Sequence, residues 1–301
     1  MVDILTTCLQ LKYQQTLHYE KGFYMIYKDK SVLLATKHNK EQVIEPVFRE
    51  KLACNLCVEY IDTDQFGTFT GEVPRPLSPY ETCVLKAKQA AKEKNYALSM
   101  ASEGSFGPQP LNPFIPYAHE IMVFVDLEND WVISEQLVTF NTNYKMITFD
   151  QDTQLDSFLK SVHFPSHALT LQSSDRKDTL QKGIRCHHTL QTSLELGFKK
   201  YNDLFLATDM RAMMNPTRMN TLAELAEKLA IRINQGCPQC GTPGFGFKSV
   251  SGHLPCGLCG DETKMYQYEH WGCIRCDYQD QRSRSDQLEV ADPTHCDYCN
   301  P

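Results

Sequence analysis

Four Cys-x-x-Cys pairs stand at the end of this chain: Cys237/Cys240, Cys256/Cys259, Cys273/Cys276 and Cys296/Cys299. A two-residue gap lets both thiolates of a knuckle reach one tetrahedral metal. Four knuckles therefore make two Zn(Cys)4 sites with no thiolate left over. Cys237-Pro-Gln-Cys-Gly241 and Trp271-Gly-Cys-Ile-Arg-Cys276 look like the two knuckles of one ribbon. Leu254-Pro-Cys-Gly-Leu-Cys-Gly260 and His295-Cys-Asp-Tyr-Cys-Asn-Pro301 look like the other. Sequential pairing is the competing arrangement, and spacing alone does not decide between them.

The other cysteines (Cys8, Cys54, Cys57, Cys83 and Cys186) are scattered and odd in number. Together with metal-bound thiolates they fit a reducing cytoplasm rather than a disulfide framework. Cys54 and Cys57 read as packing at a helix end and a strand start. The apolar content of 42% and charged content of 22% are ordinary for a globular protein. No apolar run reaches the ~18 residues of a membrane span, and the first residues lack the basic and apolar regions of a signal peptide. The net charge of −7 argues against general nucleic-acid or anionic-membrane binding.

The same argument applies to the tail. From Gln235 onward, Lys248, Lys264, Arg275, Arg282 and Arg284 are outnumbered by nine acids, and thiolate-bound zinc adds negative charge. A nucleic-acid face needs a positive stripe. The tail is instead expected to be a small domain in which zinc replaces a core. It would brace the α/β domain or form a homodimer contact.

A second set of polar residues lies upstream. Thr36, His38 and Lys40 follow the apolar run Ser31–Ala35 and precede a helical pattern with Val43, Ile44, Val47, Phe48 and Leu52 on one face. A strand that feeds a helix N-terminus in this way presents free amides to an anion. Thr36 adds a hydroxyl and Lys40 a flexible cation. Cys57–Ile61 reads as a strand, followed by a Gly/Pro/Thr-rich loop from Asp62 to Ser78. Ser78-Pro79-Tyr80-Glu81 has the form of a capping box opening a helix to about Lys94. Lys86 lies on that helix. Ala97–Ala101 reads as a strand ending in a turn that carries Glu103, with a Pro-rich loop from Pro108 to Pro116 beyond it.

Further elements are expected at Glu120–Asp126 and Trp131–Val138 (a hairpin around Asn129-Asp130), Gln154–Val162 (helix), Ala168–Leu171 (strand), Thr189–Lys199 (helix) and Leu204–Thr208 (strand). Asn215-Pro216 opens a last helix, ending at Asn234-Gln235-Gly236. Asp209 and Arg211 follow a strand, to line a cleft or pair with each other. His187-His188 reads as a surface feature, and Ser166-His167 lacks a third group to form a nucleophile. The alternation predicts an α/β layer structure. The boundaries are an N-terminal extension over 1–30, an α/β domain over 31–235 and a zinc module over 236–301.

Three segments, Val32–Lys40, Glu81–Ala91 and Ala97–Ser105, resemble in order and spacing the inosine triphosphate pyrophosphatase superfamily and, more distantly, Maf proteins. Asn215-Pro-Thr-Arg218 partly matches that superfamily's base-contacting Ser-His-Arg element. The resemblance implies a mixed sheet with flanking helices and a magnesium- or manganese-dependent nucleoside triphosphate pyrophosphohydrolase. It implies that Thr36 and Lys40 hold the triphosphate and that Lys86 projects toward the same cleft; His38, where those enzymes often have Asn, and Arg211 at its strand end join them as substrate-binding candidates. Glu81 and Glu103 would bind the metal, Glu103 would position the attacking water, and Asn215 and Arg218 would contact the base. Ser102-Glu103-Gly104 carries one acid where those enzymes have two. A nucleotide sensor without turnover, or an interaction protein acting through its tail, are the alternative outcomes. The whole chain also resembles an uncharacterised bacterial family.

Overall fold

The computed structural model describes residues 25–62, 77–109 and 112–301. Most of the expected extension 1–30, Cys8, and most of the loop from Asp62 to Ser78 lie outside them. So does most of a candidate strand around Gly22–Tyr27, whose described end is coil and turn. The chain divides into two compact units, one spanning Tyr27–Arg232 and the other containing Ile233–Pro301.

The larger unit begins with strand β1 (Ser31–Leu34), helix α1 (Glu41–Leu52), strand β2 (Asn55–Cys57) and helix α2 (Pro79–Lys94). Three long strands follow: β3 (Leu98–Gln109), β4 (Asn112–Asp126) and β5 (Trp131–Thr139). They form a mixed sheet in the order β2-β1-β3-β4-β5, parallel across β2, β1 and β3 and antiparallel from β3 to β5. β1 is the point where the strand order reverses: α1 connects it to β2 on one side, and α2 returns the chain to β3 on the other. Right-handed crossovers in opposite directions put the two helices on opposite faces. α2 covers one face through Cys83, Ala87 and Ala90, packed on Leu33, Ala35, Ala101, Ile121, Val123 and Val125.

The capping box at Ser78 is present in full. The Glu81 amide donates to Ser78 Oγ at 3.2 Å, and the Ser78 amide donates to Glu81 Oε2 at 3.0 Å. The helical face read for α1 is also present, with Ile44, Val47, Phe48 and Leu52 buried.

Two local expectations need correction. β2 ends at Cys57, so the strand expected over Cys57–Ile61 is earlier and shorter. More important for the site, β3 does not turn after Ala101. It runs on through Ser102, Glu103 and Gly104, paired with Met122, Ile121 and Glu120, to Pro108 opposite Pro116. The Ser, Gly and Pro residues there suggest a loop locally, but continuous pairing with β4 overrides the weak intrinsic preference.

The unit continues with β6 (Met146–Phe149), the short helix α3 (Asp156–Ser161), β7 (Leu169–Ser173), β8 (Thr179–Ile184), α4 (His187–Phe198) and β9 (Leu204–Thr208). The four strands form an antiparallel sheet in the order β6-β9-β7-β8. β6 and β8 have no counterpart in the sequence reading. The core of this sheet combines Phe149, Leu169, Leu171, Ile184 and Leu206 with Phe158 and Leu190 of the helices. A 3-10 turn (Ala212–Met214) leads into α5 (Pro216–Asn234). Asn215 Oδ1 accepts from the Arg218 amide at 3.0 Å, which is the expected cap.

The smaller unit holds the antiparallel sheet β10 (Gly246–Ser251), β11 (Tyr268–Gly272) and β12 (Gln279–Ser283). The protein is thus a mixed α/β structure with several sheets and a cysteine-clustered C-terminal module. Among the described residues, no helix is long and apolar enough to cross a membrane.

Candidate functional site

The cysteines form two tetrads, and the knuckles pair alternately. Cys237, Cys240, Cys273 and Cys276 form one set; Cys256, Cys259, Cys296 and Cys299 form the other, each with all Sγ atoms within 4.8 Å of one another. Contacts across the first set are 3.7 Å (Cys237–Cys276) and 3.6 Å (Cys240–Cys273); across the second they are 3.9 Å (Cys256–Cys299) and 3.6 Å (Cys259–Cys296). A disulfide would hold its sulfurs at about 2.05 Å. Four sulfurs about 2.3 Å from a tetrahedral zinc stand about 3.8 Å apart. The donor set therefore fits zinc at both places.

Local geometry prepares each loop for this. The Gly241 amide donates to Cys237 O and the Gly260 amide to Cys256 O, both at 2.9 Å, with both glycines at positive φ. Amides also donate to sulfur, from Leu258 to Cys256 at 3.4 Å and from Arg275 to Cys273 at 3.3 Å. Such bonds orient sulfur ligands of a metal.

The second site is in the larger unit, beyond the C-terminal end of β1. That strand stops at Leu34 while its neighbour β3 continues. The segment Thr36–Lys40 therefore lies beside Ser102, Glu103 and Gly104, in the crevice where open α/β sheets commonly hold ligands. Thr36 is buried, and its Oγ1 accepts from the His38 amide at 3.1 Å. Lys40 is buried, and its Nζ donates to Ser102 Oγ at 2.8 Å and Ser102 O at 3.1 Å. Both acceptors are neutral. Among the described residues no carboxylate lies within ion-pair distance of Lys40.

On the α2 face, Lys86 and Glu103 form a buried ion pair. On the other, Arg218 meets Glu120 through Nε (2.6 Å) and Nη2 (3.2 Å), with 1% and 0% of the side chains exposed. Arg218 Nη1 also donates to Met210 O. Gly104 leaves the space for this pair, because a Cβ there would stand 2.6 Å from both Arg218 Nη2 and Glu120 Oε2. Arg211 chelates the buried Asp209 through Nε and Nη2, so Asp209 and Arg211 pair with each other.

The electrostatics tie these pieces together. Burial, then the charges of Lys40, Arg218, Arg211 and Lys86, push His38 down to about 3. Burial, Arg218 and Lys86 lower Lys40 to about 7, although Glu103 and Glu120 act the other way. Of the residues singled out in the sequence, the structure therefore brings His38, Lys40, Lys86, Glu103, Arg211 and Arg218 into one electrostatic neighbourhood.

Glu81 and Asn215 have other placements. Glu81 is exposed and engaged in its capping box. Five residues from Lys86, it points about 140° away around the helix. Asn215 is fully buried; it caps α5 and donates to Asn143 Oδ1 at 2.7 Å. Arg218 is buried and engaged by Glu120 and Met210 O.

Glu120 was missed in the sequence reading. The available signal was a charged residue opening the apolar run Ile121–Val125. His167 likewise has a role not foreseen. Its Nε2 accepts from the Thr217 amide at 3.2 Å and lies 2.9 Å from Thr217 Oγ1, while Nδ1 lies 3.0 Å from Ser166 Oγ. Ser166 Oγ donates to His163 O at 2.6 Å, so the imidazole braces the start of α5 rather than activating a serine.

The sequence pattern of the family described as "Domain of unknown function (DUF6671)" matches residues 86–301. No curated protein matches the chain. Among solved structures, the PelC dodecamer from Paraburkholderia phytofirmans is similar at 11% identity, over 46% of this chain and 82% of that one. Its TM-score of 0.19 is too low to carry an argument about fold or function.

Proposed function

The chain belongs to the family described as Domain of unknown function (DUF6671), and we propose its function from the cation cluster of the larger unit. The larger unit binds the phosphate chain of a nucleotide and hydrolyses a phosphoanhydride bond. Lys40 is the observation that carries this reading: a buried amine at the start of α1 whose hydrogen-bond partners, among the described residues, are the neutral oxygens of Ser102, within the field of Lys86 and Arg218 as well as of Glu103 and Glu120. Burial and the two neighbouring cations outweigh these carboxylates, so the charged form of Lys40 is costly, and an anionic ligand offsets that cost. Lys40, the Thr36 segment and the α1 N-terminus would hold phosphate oxygens.

Following the resemblance to the inosine triphosphate pyrophosphatase superfamily, the reaction is nucleoside triphosphate plus water to nucleoside monophosphate plus pyrophosphate. Phosphate draws Lys86 away from Glu103. The Glu103 carboxylate then accepts a proton from the water that attacks phosphorus, and pyrophosphate leaves. Glu81 and Glu103 do not converge, and Glu103 is engaged with Lys86, so these residues do not make a two-carboxylate magnesium cage. Magnesium enters this reading only as the counter-ion that the nucleotide carries.

A panel of nucleoside triphosphates with magnesium or manganese, assayed for pyrophosphate and phosphate, tests the reading. Turnover should be lost in Glu103→Gln and Lys40→Met proteins that retain the wild-type circular dichroism spectrum. Wild-type rates in Glu103→Gln would remove Glu103 from the mechanism. The Lys86–Glu103 pair also favours a second reading, a sensor that binds without turnover, and binding with no product across the panel would select it. The cysteine tetrads would serve as structural zinc sites supporting a small core of Phe245, Trp271 and Tyr278.

A further inference from the structure

The two tetrads are built alike, yet their tips differ. In a Cys-x-x-Cys knuckle, the residue before the second cysteine projects outward. In the first tetrad these residues are Gln239 and Arg275, both polar and exposed. In the second they are Leu258 and Tyr298, which are 74% and 76% exposed. Val290 extends the apolar surface, at 51% exposed. Val290 belongs to the same patch: its side chain lies 3.4 Å from where a Cβ on Gly257 would stand, and the Gly257 amide donates to Ala291 O at 2.9 Å. Zinc binding does not require apolar tips, since the first tetrad manages without them. Exposing the large apolar side chains Leu258, Tyr298 and Val290 beside one tetrad is the pattern of a contact surface.

The surroundings specify the partner. Asp261, Glu262, Glu289, Asp292 and Asp297 are all exposed around the second tetrad. The nearby cation Lys264 is already paired with Asp297 at 2.8 Å. Zinc with four thiolates adds a net charge of about −2. An apolar patch with an acidic rim repels nucleic acid and anionic lipid, and attracts a segment of opposite charge.

We propose that the Leu258–Tyr298 surface docks a protein segment with one or two large apolar side chains flanked by lysine or arginine. The apolar side chains would seat on Leu258, Val290 and Tyr298, and the flanking cations would meet Asp261, Glu262 and Glu289. This role is separate from the nucleotide reading and does not depend on it.

The test is selection from a random phage-displayed peptide library on the full-length, zinc-loaded protein. Enriched peptides should carry Leu, Phe or Trp between basic residues. They should bind a Leu258→Ser/Tyr298→Ser protein at least about tenfold more weakly, as loss of central apolar contacts predicts. Gln239→Ser, on the other tetrad, should bind like the wild type. Two zinc ions per chain in each variant would show that the fold is kept. No enrichment, acidic consensus peptides, or equal binding to the double variant would overturn the proposal. So would a self-associated wild-type protein that the double variant makes monomeric in sedimentation, or retention of a DNA oligonucleotide that depends on Leu258 and Tyr298.

Discussion

Arg218 and Glu120, 98 residues apart, meet at 2.6 and 3.2 Å with almost no exposed surface, in the space that Gly104 leaves open. The contact joins α5 to β4 directly across from the β3 position that the sequence reading placed in a turn.

Removing one partner of this pair leaves an uncompensated buried charge. Glu120→Ala should cost about 3–5 kcal/mol in urea denaturation, and the double replacement Glu120→Met/Arg218→Met much less. Gly104→Ala should also destabilise, because the added Cβ meets two charged groups that are held in place. A Glu120→Ala protein as stable as the wild type would show that the pair does not carry the load assigned to it.

Lys40 is a buried cation lowered to about 7, against an ordinary lysine near 10.5. The unfolded chain keeps its proton between these values and the folded chain loses it. Its destabilising effect is therefore full below about pH 7 and fades as pH rises toward 10.5. Lys40→Met should raise the melting temperature at pH 6 more than at pH 9. Sulfate should raise the melting temperature of the wild type more at pH 6 than at pH 8, and do little for Lys40→Met.

His38 acts with the same sign as Lys40, in a more acidic window. Its folded value of about 3 lies below the unfolded 6.5, so the unfolded state binds the extra proton between them. The stability from keeping His38 neutral is complete above about pH 6.5 and is lost as pH falls toward 3. His38→Asn should flatten the acid limb of stability measured between pH 6.5 and 4. An unchanged slope would remove His38 as its source.

Metal analysis should find two zinc ions per chain, and one in either Cys240→Ser or Cys259→Ser. Chelation should unfold the tail, because its tetrads sit among few buried apolar residues. With alternate pairing, Cys240→Ser and Cys273→Ser should lose the same ion. Sequential pairing would instead group Cys240 with Cys259.

The elements with local signals were legible in the sequence. The capping box at Ser78 needs only four neighbouring residues. The buried face of α1 follows from helical periodicity, and the β4–β5 hairpin from its turn. β3 was cut short because Ser102–Gly107 is rich in small residues, and only pairing with β4 over its full length keeps it extended. β6 and β8 were missed because short edge strands carry little pattern of their own.

By itself, the sequence determined that four knuckles can hold two metals, because ligand spacing within a knuckle is local. Thr36, His38, Lys40 and Arg211 stood out by type and by position at element ends, and Lys86, Glu103 and Arg218 entered as candidates through the resemblance to the inosine triphosphate pyrophosphatase superfamily. Only the tertiary structure decided which knuckles share a metal, how Lys86 and Arg218 approach from opposite faces of one sheet, and that Glu120 answers Arg218. It likewise turned Glu81 outward and left Lys40 facing neutral oxygens. These outcomes depend on contacts between residues far apart in the chain, whose distances are set by sheet order and strand length and leave no trace in local spacing.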